Sequence, residues 1–230
     1  MASFVHGVLV QVEGRQSGRF SFASLLPGQT ALLPRPFPRP AAADQLQSQD
    51  CHFLPAAHEQ ATASRRLCCC LDSELVTSWV NGEWQVNDAA RLVDVQQLQD
   101  TLAEWQLGGL VRPWSLHSPF CRWISREDNE IADALANAAL DFEQGFVTWF
   151  AFPSEFDDVV LHSDGASRGN PGPASCAAVI SVHARGQWCR AVHGARLLGD
   201  DVTNTVAELE GFRMACELLQ CLFDRCILVE

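Results

Sequence analysis

Short apolar runs and longer amphipathic segments alternate through the middle of the chain. Residues 67–71 and 120–124 are short and almost continuously apolar, which predicts buried strands. Residues 74–80 and 89–107 instead carry apolar side chains three and four positions apart, the spacing of helices with one buried face. Strands that alternate with helices in this way predict an α/β fold.

The segment that follows residue 124 has the clearest helical pattern. Acidic residues stand at its start, and Ile131, Leu135 and Ala139 form an apolar stripe. We therefore predict a helix over residues 125–140, with Asp133 in its first turns. The helix dipole favours a carboxylate at that place, so Asp133 alone does not indicate a functional site.

The last third of the chain predicts a strand-rich unit followed by a helix. The predicted strands lie at residues 159–161, 175–183 and 187–198, and the helix continues from the region of Glu208 to about Phe223. The apolar residues from Cys226 to Glu230 then predict the beginning of another strand.

The first 66 residues are less informative than the rest. Residues 5–12 and 19–26 have the alternation of a β-hairpin, and residues 34–40 contain four prolines, which predicts an extended linker within a Pro- and Ala-rich segment. Residues 143–156 are rich in aromatic side chains and are interpreted as a connector between the two informative parts of the chain.

Composition argues against several classes of protein. The 230 residues have a formal net charge of −12 and contain no apolar run of the roughly 18 residues that a membrane helix requires. The start of the chain lacks a signal-peptide pattern, so we expect a soluble cytoplasmic or nuclear protein. The ten cysteines include no Cys-x-x-Cys pair, which favours reduced thiols over zinc or disulfides.

A glycine- and proline-rich turn begins at Asp164, in the sequence Asp-Gly-Ala-Ser-Arg-Gly-Asn-Pro-Gly-Pro. An apolar run precedes it, so Asp164 is predicted to end a strand. The stretch resembles the first strand and turn of the ribonuclease H family, and residues 203–208, Thr-Asn-Thr-Val-Ala-Glu, resemble the helix that carries the family's second metal-binding acid. The resemblance implies that Asp164 and Glu208 belong to one site.

Residues 67–142 resemble the other half of the same family. They contain Asp72-Ser-Glu-Leu-Val, then Asn81-Gly-Glu-Trp, and then a segment from Arg126 that includes Asp133-Ala-Leu-Ala-Asn. This order is typical of plant-type and retroelement-like members. The resemblance implies a ribonuclease H-like mixed five-stranded sheet flanked by helices, with Asp72 and Asp133 as the third and fourth acids.

The two halves stand in the reverse of the family's order, and two architectures explain this. Residues 67–142 and 157–230 are either the end and the start of two tandem domains, or the two parts of one circularly permuted domain. A half-domain of this size leaves much of its apolar surface exposed, so we expect the halves to associate in one compact body.

The family resemblance implies hydrolysis of the RNA strand of RNA–DNA hybrids by two-metal catalysis. Asp164, Glu208, Asp72 and Asp133 would bind two Mg2+ ions, or Mn2+, because hard cations take oxygen ligands. By the resemblance, Asn170, Thr203 and Asn204 match positions that contact the backbone or the 2′-hydroxyls, and Gly165 matches a position where the main chain approaches the substrate. The expected partner is a hybrid duplex, and no membrane partner is expected.

Two departures favour an alternative. Trp123 stands where the family often has a mobile histidine, and residues 67–142 contain twelve Asp or Glu against four Arg, although phosphate contacts need basic side chains. The alternative is a catalytically inactive, degenerate module that remains from a retroelement or a tandem domain. The sequence leaves the choice, and the oligomeric state, open.

Overall fold

Five strands predicted from the sequence are neighbours in a single mixed sheet. A computed structural model describes residues 9–10, 65–114, 119–153 and 155–227. The five strands are β2 (Arg65–Leu71), β4 (Cys121–Trp123), β6 (Asp158–Ser167), β7 (Gly172–Ala184) and β8 (Gln187–Val202). Three short strands extend the sheet: β1 (Leu9–Val10), β3 (Val111–Pro113) and β5 (Phe146–Trp149).

The strand order is β1-β5-β8-β7-β6-β2-β3. Strand β4 lies on the same side of β2 as β3 does: β3 pairs with the first residues of β2, and β4 pairs with the last. Strand β2 is parallel to β3, β4 and β6, whereas the pairs β6–β7, β7–β8, β8–β5 and β5–β1 are antiparallel. The β2–β6 pair joins the two sequence segments, with Leu67 opposite Val159 and Leu71 opposite Ser163. Every described residue belongs to one compact unit.

In the described part of the chain, four α-helices cover the sheet: α1 (Glu74–Val80), α2 (Ala89–Leu107), α3 (Glu130–Asp141) and α4 (Asn204–Ile227). The limits of α1 and α2 agree with the predicted ones. Polar side chains begin both helices, since Ser73 Oγ accepts a hydrogen bond from the Val76 N–H and Asp88 accepts two from the first turn of α2. A 3-10 turn (Arg126–Asn129) precedes α3.

The sheet separates two apolar layers. The larger layer packs α1, α2 and α4 against one face, with Phe212, Leu219 and Leu222 fully buried. The smaller layer consists of alanines where α3 crosses the other face, with Ala136 and Ala139 against Ala177 and Ala195. These small side chains let α3 lie close to the sheet, which brings its first turns to the place where β2 ends beside β6.

Two sequence predictions are wrong. Cys226 and Ile227 belong to α4 and not to a strand, because the buried series Leu218, Leu222, Cys226 continues at the helical spacing; residues 228–230 lie outside the described residues. Asp164 does not end its strand, since the β6–β7 ladder continues to Ser167 opposite Ala174.

Other predictions are incomplete. Strands β3 and β5 were not predicted, and β5 lies inside the segment interpreted as a connector. Of the predicted N-terminal hairpin, the structure describes Leu9–Val10, which pairs with β5; its second strand and the Pro-rich linker before residue 65 lie outside the described residues. Within the described part of the chain, no helix is long and apolar enough to cross a membrane.

Candidate metal centre

Three of the four predicted acids meet at one edge of the sheet. Asp72, Asp164 and Glu208 each offer a carboxylate oxygen, and these oxygens lie within 4.8 Å of one another. Asp72 directly follows β2, and Asp164 lies in the neighbouring parallel strand β6, so the pairing of the two strands places both acids at the same level. Glu208 enters from the beginning of α4.

Two glycines allow α4 to approach β6 closely enough for Glu208 to reach this edge. A Cβ on Gly165 would lie 2.2 Å from the carbonyl carbon of Ala207 and 2.2 Å from the amide nitrogen of Glu208. A Cβ on Gly211 would lie 2.6 Å from the Asp164 carbonyl oxygen. Both distances are far below van der Waals contact, so each position requires glycine for the backbones to pack.

The acids are buried as well as close. Asp164 is 3% exposed and Glu208 is 6% exposed. Burial, together with the negative charges of Asp72 and Asp133, raises the pKa of Asp164 to about 8. Burial and the charges of Asp164 and Asp72 raise the pKa of Glu208 to about 9, and this effect outweighs the hydrogen bonds that Glu208 receives from Gly165 and Asn204. The site therefore favours added positive charge.

Amide side chains orient two of the carboxylates. Asn129 is 1% exposed, and its Nδ2 donates to Asp72 Oδ1 at 2.9 Å and to the Ser163 carbonyl oxygen at 3.0 Å. Asn204 Nδ2 donates to Glu208 Oε1 at 3.4 Å. Each bond holds one oxygen of a carboxylate and leaves the second oxygen directed elsewhere.

Glu208 Oε2 and Asn129 Oδ1 are buried at this edge and have no hydrogen-bond partner among the described residues. An unpaired buried acceptor is costly and calls for an explanation. A hard divalent cation takes carboxylate and amide oxygens as ligands and would also compensate the negative charge. The donor set at this edge therefore fits Mg2+ or Mn2+.

The fourth predicted acid is differently placed. Asp133, on α3, contributes to the raised pKa of Asp164 but is not one of the three converging acids. Its Oδ1 accepts from Arg126 Nη2 at 2.5 Å, and its Oδ2 accepts from Asn137 Nδ2 at 3.2 Å. Both oxygens of Asp133 are thus already occupied by side chains of its own segment.

A cleft of about 430 Å³ opens above the acids. Its lining residues are Asp72, Arg126, Asn137, Asp164, Gly165, Ala166, Ser167, Asn170, Asn204 and Glu208. Three of the four predicted substrate positions, Gly165, Asn170 and Asn204, are in this set. Asn170 Oδ1 also accepts from the backbone N–H of Asn204 at 2.9 Å, which joins the turn after β6 to the start of α4.

Thr203 is the exception among the predicted substrate positions. It is exposed and is not among the residues that line the cleft. Its Oγ1 instead accepts a hydrogen bond from the Val206 N–H at 3.4 Å, in the manner of a helix cap.

Sequence reasoning assigned no role to Arg126, Asn129 and Asn137, all of which contact the acids. Asn129 and Asn137 stand four residues before and four residues after Asp133. Residues at this spacing share one face of a helix, so the pattern was a usable signal. The contact of Asn129 with Asp72, however, depends on the packing of α3 beside β2 and could not be inferred from spacing.

Trp123 is a large aromatic side chain near the acids. It is 52% exposed, and its indole Nε1 donates to the carbonyl oxygen of Asp72 at 3.0 Å. Strand pairing places Trp123 opposite Leu71, immediately before Asp72. The ring is thereby fixed next to one of the acids while much of it stays accessible.

No protein-family model matches the chain, and no curated protein matches it. Among solved structures it is similar to one described as the crystal structure of LC11-RNase H1 in complex with RNA/DNA hybrid, with 36% sequence identity. The match covers 29% of this chain and 46% of that chain, less than half of its length, with a TM-score of 0.25.

Proposed function

We propose that the chain is a divalent-metal-dependent, ribonuclease H-like endonuclease that cleaves the RNA strand of RNA–DNA hybrids. The observation that carries the proposal is the convergence of Asp72, Asp164 and Glu208 within 4.8 Å, with an unpaired buried oxygen on Glu208. Asp72 and Asp164 lie in sequence motifs 92 residues apart, Glu208 follows 44 residues after Asp164, and packing brings the three acids together.

The proposal includes one circularly permuted domain made of residues 67–142 and 157–230. The pairing of β2 with β6 supports it, because a strand from the first segment lies beside a strand from the second in the same sheet. The chain also passes from α3 through β5 into β6, so residues 143–156 connect the segments. In this arrangement each of the four acids occurs once.

Asp164, Glu208 and Asp72 would hold one divalent cation, and Asp133 would bind a second once its ion pair with Arg126 is broken. The metal ions would supply positive charge at the phosphate that is cleaved. The chain's own contribution is orientation: Asn129 fixes the Asp72 carboxylate, and Asn204 fixes that of Glu208.

Recognition of the RNA strand would come from the polar wall of the cleft. Ser167, Asn170 and Asn204 line it and offer hydroxyl and amide groups, the types of group that bond to phosphates and ribose 2′-hydroxyls. Gly165 also lines the cleft and offers main-chain atoms there.

The test is cleavage of a fluorescently labelled RNA–DNA hybrid in Mg2+ by wild type and by Asp164→Asn. We expect cleavage by wild type and its loss in the variant, because the amide cannot supply an anionic ligand. Asp100→Asn is the matched control, since Asp100 lies on the exposed side of α2 and contacts Gln96. Circular dichroism checks that all three proteins are folded.

The net charge of −12 favours a second candidate, a non-catalytic remnant, because electrostatic repulsion opposes the approach of nucleic acid. Well-folded wild type that leaves the hybrid intact across a range of Mg2+ and salt concentrations would establish this second candidate and reject the first.

A further inference from the structure

Arg126 is the single basic side chain among the described residues that line the cleft. It begins the 3-10 turn before α3, and its side chain is 74% exposed. Its Nη2 lies 2.5 Å from Asp133 Oδ1, and the negative charges of Asp133, Asp164 and Asp72 all raise its pKa. The guanidinium is thus a fixed positive charge at the rim of an acidic site.

The acids of the cleft fall into two unequal sets. Asp72, Asp164 and Glu208 converge, and Glu208 Oε2 lacks a partner among the described residues. Asp133, in contrast, has Arg126 on one oxygen and Asn137 on the other. A cation can therefore enter the first set without breaking an ion pair, whereas a cation at Asp133 has to displace Arg126.

We propose that Arg126 is a resident counter-ion of Asp133 that excludes a second divalent cation until a substrate phosphate draws the guanidinium away. The proposal deepens the proposed function, on which it rests, and makes Arg126 a positioning residue. The protein without substrate then binds one divalent ion at Asp72, Asp164 and Glu208. The second ion binds at Asp133 when nucleic acid occupies the cleft.

The physical properties of the pair permit this exchange. An ion pair with so exposed a guanidinium contributes little to stability, so breaking it is easy. Arginine forms bidentate hydrogen bonds with phosphate, and a phosphate within the cleft lies in the region that the Arg126 side chain already borders. Transfer from carboxylate to phosphate keeps the guanidinium paired throughout.

The first test counts bound ions by isothermal titration calorimetry with Mn2+ and with Mg2+ in the absence of nucleic acid. We expect one ion for wild type, two for Arg126→Gln, and one again for the double variant Arg126→Gln/Asp133→Asn. Arg91→Gln is the matched control, because it removes an arginine paired with Asp94 on α2 and should leave one ion. Equal counts and affinities in wild type and Arg126→Gln would overturn the counter-ion role.

The second test measures hybrid binding by fluorescence anisotropy in EDTA, where no metal takes part, as a function of salt. Arg126→Gln should lower the slope of log affinity against log salt by about one, as expected for one lost phosphate contact. Arg126→Lys should keep the wild-type slope, and so should Arg91→Gln. An unchanged slope in Arg126→Gln would overturn the transfer to phosphate.

The tests separate this inference from the proposed function. A protein that cleaves hybrids but shows the same ion count with and without Arg126 disproves the inference alone. A protein that never cleaves but gains a second ion in Arg126→Gln disproves the proposed function and leaves the counter-ion role established. Because the Arg126 side chain is exposed, its replacement should preserve the fold, which circular dichroism of each variant checks.

Discussion

Replacing Asp164 by asparagine should change how the stability of the metal-free protein depends on pH. Asp164 has its pKa raised from 3.8 to about 8 in the folded protein, first by burial and then by the charges of Asp72 and Asp133. Between these two values the folded protein keeps a proton on Asp164 that the unfolded chain has released. Stability from this group is therefore lost as the pH rises through the interval.

The size of the effect follows from the proton count. A difference of one proton changes the free energy of unfolding by about 1.4 kcal/mol per pH unit. From pH 5.5 to pH 7.5, Asp164 alone should thus remove roughly 3 kcal/mol of stability. Glu208, whose pKa is raised to about 9, acts in the same direction over the same range.

The assay is urea unfolding in EDTA at pH 5.5, 6.5 and 7.5. Wild type should lose stability steeply over this range, and Asp164→Asn should lose it less steeply, because the amide carries no proton to release. Asp100→Asn should follow wild type. Adding Mg2+ should restore the wild type most at pH 7.5, where binding to the ionised carboxylates costs least. Parallel pH profiles for wild type and Asp164→Asn in EDTA would refute the assignment of a raised pKa to Asp164.

Two further predictions concern the approach of α4 and the rim of the site. Gly165→Ala should destabilise the protein by at least about 3 kcal/mol in urea unfolding, because its Cβ would meet the α4 backbone at 2.2 Å. Gly186→Asn is the control, since Gly186 lies in a turn with open space around it, and it should cost under about 1 kcal/mol. Equal losses in the two variants would contradict the packing argument. Trp123→Ala should weaken hybrid binding in EDTA by about 5-fold, the effect of roughly 1 kcal/mol of lost apolar contact, because the exposed ring beside Asp72 can pack against the sugar–phosphate backbone of the duplex. Trp84→Ala, which removes a similarly exposed ring, should leave affinity unchanged, and equal losses would show that Trp123 makes no specific contact.

Most of the sheet could be predicted because its strands carry local signals. The apolar runs that became β2, β6 and β7 are bounded by turn residues, and the helical spacing of α1 and α2 gave their limits. Strand β5 could not be predicted in this way. Its four residues, Phe-Val-Thr-Trp, all favour strands, but the run is short and only partly buried, so pairing with β8 decides its conformation.

The candidate site, like the sheet, could be predicted only where local sequence motifs mark its residues. Asp72, Asp164 and Glu208 were identified from local motifs that family resemblance made readable, and packing brings them together. The partners of these acids were not identified, because Asn129 reaches Asp72 across 57 positions of the chain. From the sequence, Gly165 was predicted only as a substrate contact. That it also lets α4 approach β6 closely is visible only in the structure.

The pairing of β2 with β6 has a consequence for how the protein is made. Arg66 bonds to Asp158 from 92 positions earlier in the chain, and this contact is among those that set the sheet. Contacts of such long separation form late in folding, and a chain synthesised from its N-terminus exposes β2 before β6 exists. Glu208 is the last of the acids to be synthesised. A nascent chain therefore carries Asp72 and Asp133 without a functional centre, and the site is assembled only once α4 has left the ribosome.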